Sequence, residues 1–520
     1  MPGLRLEELC RGLPCRLEGD GSTRVEDLVL DSRAAGPGAL FVALAGSRRD
    51  GAVFAAEAVG RGAVAVLLAE GAARPPGLPP AVPLVRAPRP RALLPELAAR
   101  LWDHPAAGFT LAGVTGTNGK TTTASHIAHL LEAGLPGRPV AYWTTAEVFD
   151  GGRRFRPAWT TPEAPDLARF LDSARRHGAR HAVIEVSSHA LALDRVAGLT
   201  FRVGVVTNLS PDHLDFHGDL AGYTAAKRRL VAALTPPALA LLNADDPVVA
   251  GFAAVSRVPV LFFGAGAKAD LRLEDAVWDG GWRFRIRLSP RARSRWGLKT
   301  VIEERLALPG RHNLYNAVAA LGAALELGAN PGRVLAALPG LEAPVRRLAE
   351  QRVGPYRILD DVAMNSASYD AVLETLAGQG IRGTRLVVVN ALRGNRGPAV
   401  NAAIARRLAA WNRRLDFAPL LVSLSRQAVA ALSADYRVRP EEQAAFEAAA
   451  REAGLPIVVY PELEEALQAA VARLTPGATL LLLGTFGMDP GPDLARALLE
   501  ARLAQTPGGP ANGAAGNRNG

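Results

Sequence analysis

The chain has 520 residues, 49% of them hydrophobic, enough for about three domains of ~150 residues with a core each, which excludes a disordered or fibrous protein. Basic residues outnumber acidic ones 60 to 50, a formal charge of +10, and such a balance invites polyanion binding. Only four of the basic residues are lysines (Lys120, Lys227, Lys268, Lys299) and the arginines spread along the whole length, which argues against a phosphate-backbone patch. A lysine that survives in an arginine-dominated chain is a candidate for a site that needs a primary amine. Two cysteines, Cys10 and Cys15, are too few for a disulfide framework or a four-ligand zinc site and read as reduced thiols of a cytoplasmic protein.

The first twenty residues place Glu7 and Glu8 where a signal peptide needs an apolar run. Apolar strands are predicted at 40–44, 63–69 and 81–85, with helices at 52–61 and 91–102 and a Pro/Gly-rich loop at 72–80. A strand at 109–114 runs into a glycine-rich turn and a threonine-rich helix start, opening a new α/β unit. Strands at 182–186, 203–207 and 238–243 alternate with helices as a parallel sheet requires. Residues 270–305 read as a small antiparallel excursion and 313–327 as a helix. A third α/β block starts near 341, with strands at 357–359, 385–389, 420–422, 457–459 and 479–483. No run of about 18 apolar residues spans a membrane, and the Gly/Pro/Asn/Ala stretch 506–520 reads as a disordered tail. The expected organisation is an N-terminal domain over 1–105, a central domain over 106–338 and a C-terminal domain over 339–505.

Residues 113–123 read Gly-Val-Thr-Gly-Thr-Asn-Gly-Lys-Thr-Thr-Thr. A loop entering a helix presents unpaired N–H groups and the positive end of the helix dipole, which suits phosphate. Lys120 reaches the outer phosphates and the Thr121 hydroxyl ligates Mg²⁺. The strict G-x-x-x-x-G-K-[ST] pattern fails at Val114, leaving the tighter form 116–121. Downstream, Val183-Ile-Glu-Val-Ser-Ser-His189 is a strand ending in polar groups, where Glu185 suits either Mg²⁺ or a structural salt bridge. Thr207-Asn-Leu-Ser-Pro-Asp-His-Leu-Asp-Phe-His217 offers histidines and aspartates, each of which is a metal ligand or a satisfied loop residue. Lys227 is a helix-surface cation, or a partly buried amine that stays neutral and reacts with carbon dioxide to give a carbamate.

Together these strings resemble the Mur ligase family, the ATP-dependent amide ligases of peptidoglycan precursor synthesis, and within it the branch that adds the third amino acid. The resemblance is dense over residues 25–330. Asp31-Ser-Arg33, residues 38–44 and Asp50-Gly51 look like that branch's uridine-nucleotide-binding domain. Trp159-Thr-Thr-Pro162, Glu185-Val-Ser-Ser-His189, Asp194-Arg-Val196, Asn208-Leu-Ser-Pro-Asp-His-Leu-Asp215, Ala226-Lys227 and Leu308-Pro-Gly-Arg-His-Asn-Leu-Tyr-Asn316 match further family strings. The resemblance implies a three-domain α/β fold whose central parallel-sheet domain carries the phosphate loop and whose C-terminal domain is Rossmann-like. It implies that Gly116, Thr117, Asn118, Gly119, Lys120, Thr121 and Thr122 hold ATP, with Asn313, Asn316 and Asp361 on the nucleotide as well. Ser32, Thr160, Thr161, Ser187 and Arg195 would hold a UDP-N-acetylmuramoyl peptide. Thr121 and Glu185 would bind one Mg²⁺, and His213 with carbamylated Lys227 a second. Arg347 would stand for the family's catalytic arginine, and an amino acid would be the third substrate of a monomeric enzyme.

The C-terminal strings depart from the family. D-x-A-H-x-P appears as Asp361-Val-Ala-Met-Asn-Ser366, G-G-x-R-D-x-x-K-R as Asn390-Ala-Leu-Arg-Gly-Asn-Arg-Gly397, and G-K-G-H-E as Gly484-Thr-Phe-Gly-Met-Asp489; no D-N-P-[RA] occurs. Arg346 and Ala349 replace the glycine and glutamate of G-R-x-E around Arg347. Loss of polar groups at so many places alters which amine is accepted. Arg393 and Arg396 either bind an anion such as a carboxylate or are solvated loop residues. Three other readings compete: a related ligase on another carboxylate, a nucleotide- and precursor-binding pseudoenzyme, and nucleic-acid binding, the last without an aromatic-interleaved basic patch.

Overall fold

The computed structural model describes residues 3–46, 50–417, 419–430, 432 and 436–505, so the predicted tail 506–520 lies outside it. Contacts divide the chain into two units, one built from residues up to Ala307 with Leu314–Leu341, the other from Leu308–Asn313 and the residues after Leu341.

The first unit holds two α/β sheets. The N-terminal one has five strands in the order Arg16–Glu18, Leu84–Ala87, Ala63–Ala69, Ala39–Val42, Asp27–Val29, parallel except at the first pair. It has an apolar cluster on each side, one around Leu40, Leu67 and Leu97 and one around Phe41, Val66 and Leu84. The second sheet has eleven strands. Its parallel centre runs Val140–Trp143, His181–Glu185, Thr110–Thr115, Phe201–Val206, Leu239–Asn243, Val260–Gly264. Buried on both faces, these strands are near-continuous apolar runs such as Leu239-Ala-Leu-Leu-Asn243. The hairpin Val148–Phe149/Arg154–Phe155 extends one edge. The strands Leu271–Trp278, Trp282–Leu288 and Val301–Leu306 extend the other, pairing antiparallel with one another as the sequence predicts. Lys268 and Lys299 are exposed in the loops leading into this extension.

The second unit carries six strands in the order Arg347–Val353, Tyr356–Asp361, Thr479–Leu483, Leu386–Ala391, Leu420–Ser423, Ile457–Tyr460, parallel after the first hairpin. Helices Ser366–Gly378 and Pro398–Leu415 pack one face and Leu463–Arg473 and Gly491–Ala504 the other.

Several strands lie where none is expected, among them Arg16–Glu18, Asp27–Val29 and the hairpin Val148–Phe149/Arg154–Phe155, and three more have a plain reason. Val140–Trp143 and Val260–Gly264 are short apolar runs following prolines, too brief to show a period. Arg347–Val353 is an edge strand whose outward positions carry Glu350 and Arg352, so its charge hides the alternation. Among the described residues, no helix is long and apolar enough to cross a membrane.

Candidate active site

The phosphate loop leaves the central strand Thr110–Thr115 and enters the helix Lys120–Gly134. Two glycines make the turn possible. Gly116 has φ +143°, and a Cβ there would lie 1.9 Å from Thr207 Oγ1; Gly119 has φ +83°, and its Cβ would lie 2.6 Å from Asn316 Oδ1. Neighbouring strand ends pin the loop. Thr117 N donates to Asn208 O (2.9 Å), Asn118 N to Asn208 Oδ1 (2.9 Å), and Thr207 Oγ1 to Asn118 O (2.6 Å). Lys120 Nζ folds back onto Thr117 O at 2.8 Å, and Thr122 is buried in the first helical turn. Asn316 accepts from Thr123 Oγ1 at 3.2 Å, so this residue, expected on the nucleotide, packs against the helix that the phosphate loop enters.

Glu185 ends the adjacent strand and is 1% exposed. Its carboxylate accepts from Thr121 Oγ1 at 3.0 and 3.1 Å, and from Thr145 N (2.7 Å) and Oγ1 (2.9 Å). No sequence string points to Thr145; it follows the unexpected strand Val140–Trp143. Thr145 Oγ1, whose one hydrogen goes to Glu185, also lies 3.0 Å from Thr160 Oγ1, while Thr161 Oγ1 donates to Glu185 O (2.7 Å) and accepts from Ser187 N (2.9 Å). Arg195 Nη1 donates to Thr161 O at 2.9 Å, and its Nε lies 3.0 Å from Glu163 Oε1 without aiming its hydrogen there. Thr160, Thr161, Ser187 and Arg195 therefore form one connected group with Glu185. Ser187 Oγ is engaged as the cap of the helix Ser188–Ala192. Ser32, which opens a short 3-10 helix after the strand Asp27–Val29, is buried and donates to Glu57 Oε2 at 2.9 Å.

Lys227 is not a surface cation: it is 1% exposed, and its Nζ donates to Gly116 O at 2.5 Å and lies 4.6 Å from the centre of the Tyr223 ring. Burial, reinforced by the charge of Lys120, pushes its ammonium well below the usual lysine range, against the smaller pulls of Asp212 and Glu185. His213 has φ +51° and its Nε2 lies 3.9 Å from Asp212 Oδ2; its ring meets that of His189 edge-on at 4.7 Å. Among the described residues, no three His, Cys, Asp or Glu side chains converge to hold a metal ion. The donors present are hard oxygens, the Thr121 hydroxyl and the Glu185 carboxylate, which fit Mg²⁺ completed by phosphate oxygens. Lys227 as an amine offers no such oxygen.

The second unit contains the remaining predicted residues. Asn313 is buried, its Nδ2 donating to Pro309 O at 2.7 Å. Asp361 sits opposite Arg347 in the β-ladder; it keeps some accessible surface, but burial pushes its carboxyl up to about 7 despite the facing arginine charge. Arg346 does more than displace a glycine. It adopts φ +59°, is 4% exposed, and binds Asp360 (3.1 Å), Gly484 O (2.6 Å) and Asp489. One exposed basic stretch with aromatics does occur, Arg153-Arg154-Phe155-Arg156 followed by Trp159, contrary to the expectation that none exists; within it Arg154 pairs with Glu147 at 2.6 Å and covers the Phe149 ring.

Three family models match the chain in order: the Mur ligase family catalytic domain over residues 24–102, the Mur ligase middle domain over 114–324, and the Mur ligase glutamate ligase domain over 346–486. A UDP-N-acetylmuramyl-tripeptide synthetase of Deinococcus radiodurans is 33% identical over 503 residues, covering 92% of this chain and 94% of the relative. A UDP-N-acetylmuramoyl-L-alanyl-D-glutamate–2,6-diaminopimelate ligase of Gloeobacter violaceus is 38% identical over 347 residues, covering 65% and 66%. In fold, the chain matches a MurF ligase from Thermotoga maritima solved with ADP, at TM-score 0.61 and 20% identity, over 92% of this chain and 99% of that one. Phosphate loop, strand-end carboxylate and buried lysine thus stand inside the longest of the three matched segments, and the near full-length Deinococcus match carries the assignment: the chain belongs to the Mur ligase family.

Proposed function

We propose that the chain forms an amide bond on a UDP-N-acetylmuramoyl peptide, using ATP to activate a substrate carboxylate as an acyl phosphate that an amino acid then attacks. ATP-dependent amide ligation in peptidoglycan precursor synthesis is the work of this family, and relatives named tripeptide synthetases and diaminopimelate ligases support the tripeptide step. The observation that carries the reading is the Thr121 hydroxyl held 3.0 Å from Glu185, beside a phosphate loop under which Lys227 is buried. The domain limits we adopt are 105/106 and 338/339.

Residues 116–122 cradle the ATP phosphates, the backbone N–H groups and helix dipole supplying positive potential. Lys120 swings from Thr117 O to the γ-phosphate. Thr121 and Glu185 would hold a Mg²⁺ ion, which would neutralise phosphate charge. Ser32, Thr160, Thr161, Ser187 and Arg195 orient the muramoyl peptide, and Asn313, Asn316 and Asp361 border the nucleotide. A substrate carboxylate oxygen attacks the γ-phosphorus and ADP leaves with the electron pair of the broken P–O bond. The amine nitrogen then bonds to the acyl carbon, phosphate departs and the nitrogen loses a proton; Arg347 offsets charge in this half of the reaction. Lys227, held neutral by burial, adds carbon dioxide with loss of one proton; the resulting carbamate supplies carboxylate oxygens that, with His213, fit a second Mg²⁺.

The test incubates purified protein with ATP, Mg²⁺ and UDP-muramoyl dipeptide, offers a panel of amino acids, and follows phosphate release together with product mass. Phosphate release with a product heavier by one amino-acid residue is expected. Neither phosphate release nor binding of the UDP precursor would sink the reading.

A further inference from the structure

The first unit contains a cavity of about 680 Å³. Thr110 and Phe201, which open two strands of the eleven-stranded sheet, and Ala238, just before a third, stand in its wall. The phosphate loop leaves the other end of Thr110–Thr115, about 17 Å along the strand, so the cavity is remote from that loop. The helices Pro90–Leu101 and Ala164–Arg176 close two further sides. The sequence accounts for the space. Asp103 and His104, at φ +56° and +47°, end the first of these helices in a left-handed turn that redirects the chain into Pro105–Gly108. The side chains of Ala99, Ala106, Ala168 and Ala197 are too short to fill the gap. A cavity of roughly 300–1,000 Å³ with mostly apolar walls is the usual size of a small-molecule site.

The carboxylate and guanidinium groups of the wall already hold partners. Glu96 pairs with Arg100 at 2.8 Å, Arg202 donates to Pro237 O (2.5 Å) and pairs with Glu326 (2.8 Å), and Arg195 Nη1 donates to Thr161 O (2.9 Å). A charged ligand would leave water for a wall whose ions are taken, which is costly; an uncharged one meets alanine, leucine and phenylalanine side chains. Arg195 Nε differs from the rest. It is buried with no hydrogen-bond acceptor among the described residues, and a carbonyl or ether oxygen on a ligand supplies one. Arg195 also belongs to the group with Thr161 and Glu185 assigned to the muramoyl peptide, so whatever engages its Nε is felt there.

We propose that this cavity binds an uncharged, largely apolar small molecule bearing a hydrogen-bond acceptor, and that its occupant draws Arg195 away from the muramoyl peptide and so opposes precursor binding. The second clause rests on the ligase reading above; the first does not. By linkage, the precursor weakens binding of the occupant by the same factor.

Nile red, an uncharged apolar dye with a carbonyl oxygen, serves as the probe, and the anionic dye 1-anilinonaphthalene-8-sulfonate as its counterpart. Nile red is expected to saturate the whole protein at one molecule per chain and to bind at least about tenfold more tightly than the anionic dye. Ala99→Phe and Ala106→Phe, at partly exposed wall positions, should each weaken it at least about tenfold while circular dichroism stays native. In the wild type, Nile red should slow amide hydrogen exchange in residues 104–110 and 197–201, which tests the location without a variant. Failure to saturate, an anionic dye that binds as tightly, protection confined to other segments, or folded variants that bind as the wild type does each overturn the site. A dimer that either variant disperses overturns it too, since a second copy is then the occupant. Saturating Nile red should raise KM for UDP-muramoyl dipeptide at least about fivefold and leave KM for ATP unchanged; an unchanged precursor KM overturns the coupling. If no turnover occurs, the ligase reading fails, and dye binding and hydrogen exchange still decide the cavity.

Discussion

A lysine 1% exposed and hydrogen-bonded to the backbone of the phosphate loop has lost most of what a lysine gains from water. The carbamate proposed for it needs a primary amine, which a guanidinium does not offer. Lys227→Arg keeps a basic side chain of similar reach, removes the reactive amine and is expected to cut ligation at least about a hundredfold while circular dichroism stays native; a short carboxylic acid added to the assay should restore part of the rate. Full activity in this variant rules the carbamate out. Glu185→Gln keeps the shape but loses the charge that suits Mg²⁺, so the Mg²⁺ concentration for half-maximal rate should rise about tenfold or more; an unchanged Mg²⁺ requirement would contradict the assigned role. Both residues were legible in the sequence, Glu185 from its strand end and Lys227 from its rarity. Thr145, which gives Glu185 two of its hydrogen bonds, was not, because it belongs to no string and only the sheet order brings it to the carboxylate.

The phosphate loop as an element depends on close backbone approach. Adding a methyl at Gly116 would strike Thr207 Oγ1, which is tied down by its bond to Asn118 O, and would strain a backbone at φ +143°. Gly116→Ala is therefore expected to lower the melting temperature, with a loss of about 2 kcal/mol or more, and to weaken ATP binding. Two effects compete at the turn entering Arg347–Val353. Arg346→Gly relieves a positive φ worth about 1–2 kcal/mol but strips the buried Asp360 of its cation, at a cost of about 3–5 kcal/mol. The second wins, so urea unfolding should show a net loss of about 1–4 kcal/mol; a stabilised variant would refute this account. The sequence placed the catalytic-loop elements well because strand, glycines, Lys120 and Thr121 are contiguous. It could not show Arg346 as a structural centre, since Asp489 lies 143 positions away, and the departure from a glycine read as a loss.

At the scale of the molecule, each of the two units has apolar clusters of its own, and unfolding by scanning calorimetry should resolve more than one transition. In the second unit, Asp361 binds its proton more tightly folded than unfolded, where it titrates at about 3.9. Its favourable contribution is whole below that pH and is lost as the pH rises through about 7. Asp361→Asn has no charge to acquire, so its stability relative to the wild type should improve between about pH 4 and 8, and parallel pH profiles would contradict the assignment. Chelation with EDTA is expected to stop ligation and leave the melting temperature of the free protein unchanged, because the proposed Mg²⁺ needs phosphate oxygens to complete its ligands and so arrives with ATP. The scarcity of primary amines has a practical side. Of four lysines, Lys227 is sealed in the core and Lys120 half-buried in the loop, while Lys268 and Lys299 stand exposed in the loops leading into the antiparallel extension. Succinimidyl esters applied to the folded protein therefore tag two side-chain positions on that extension, giving dyes or surface tethers a defined attachment that leaves the buried amine unmodified.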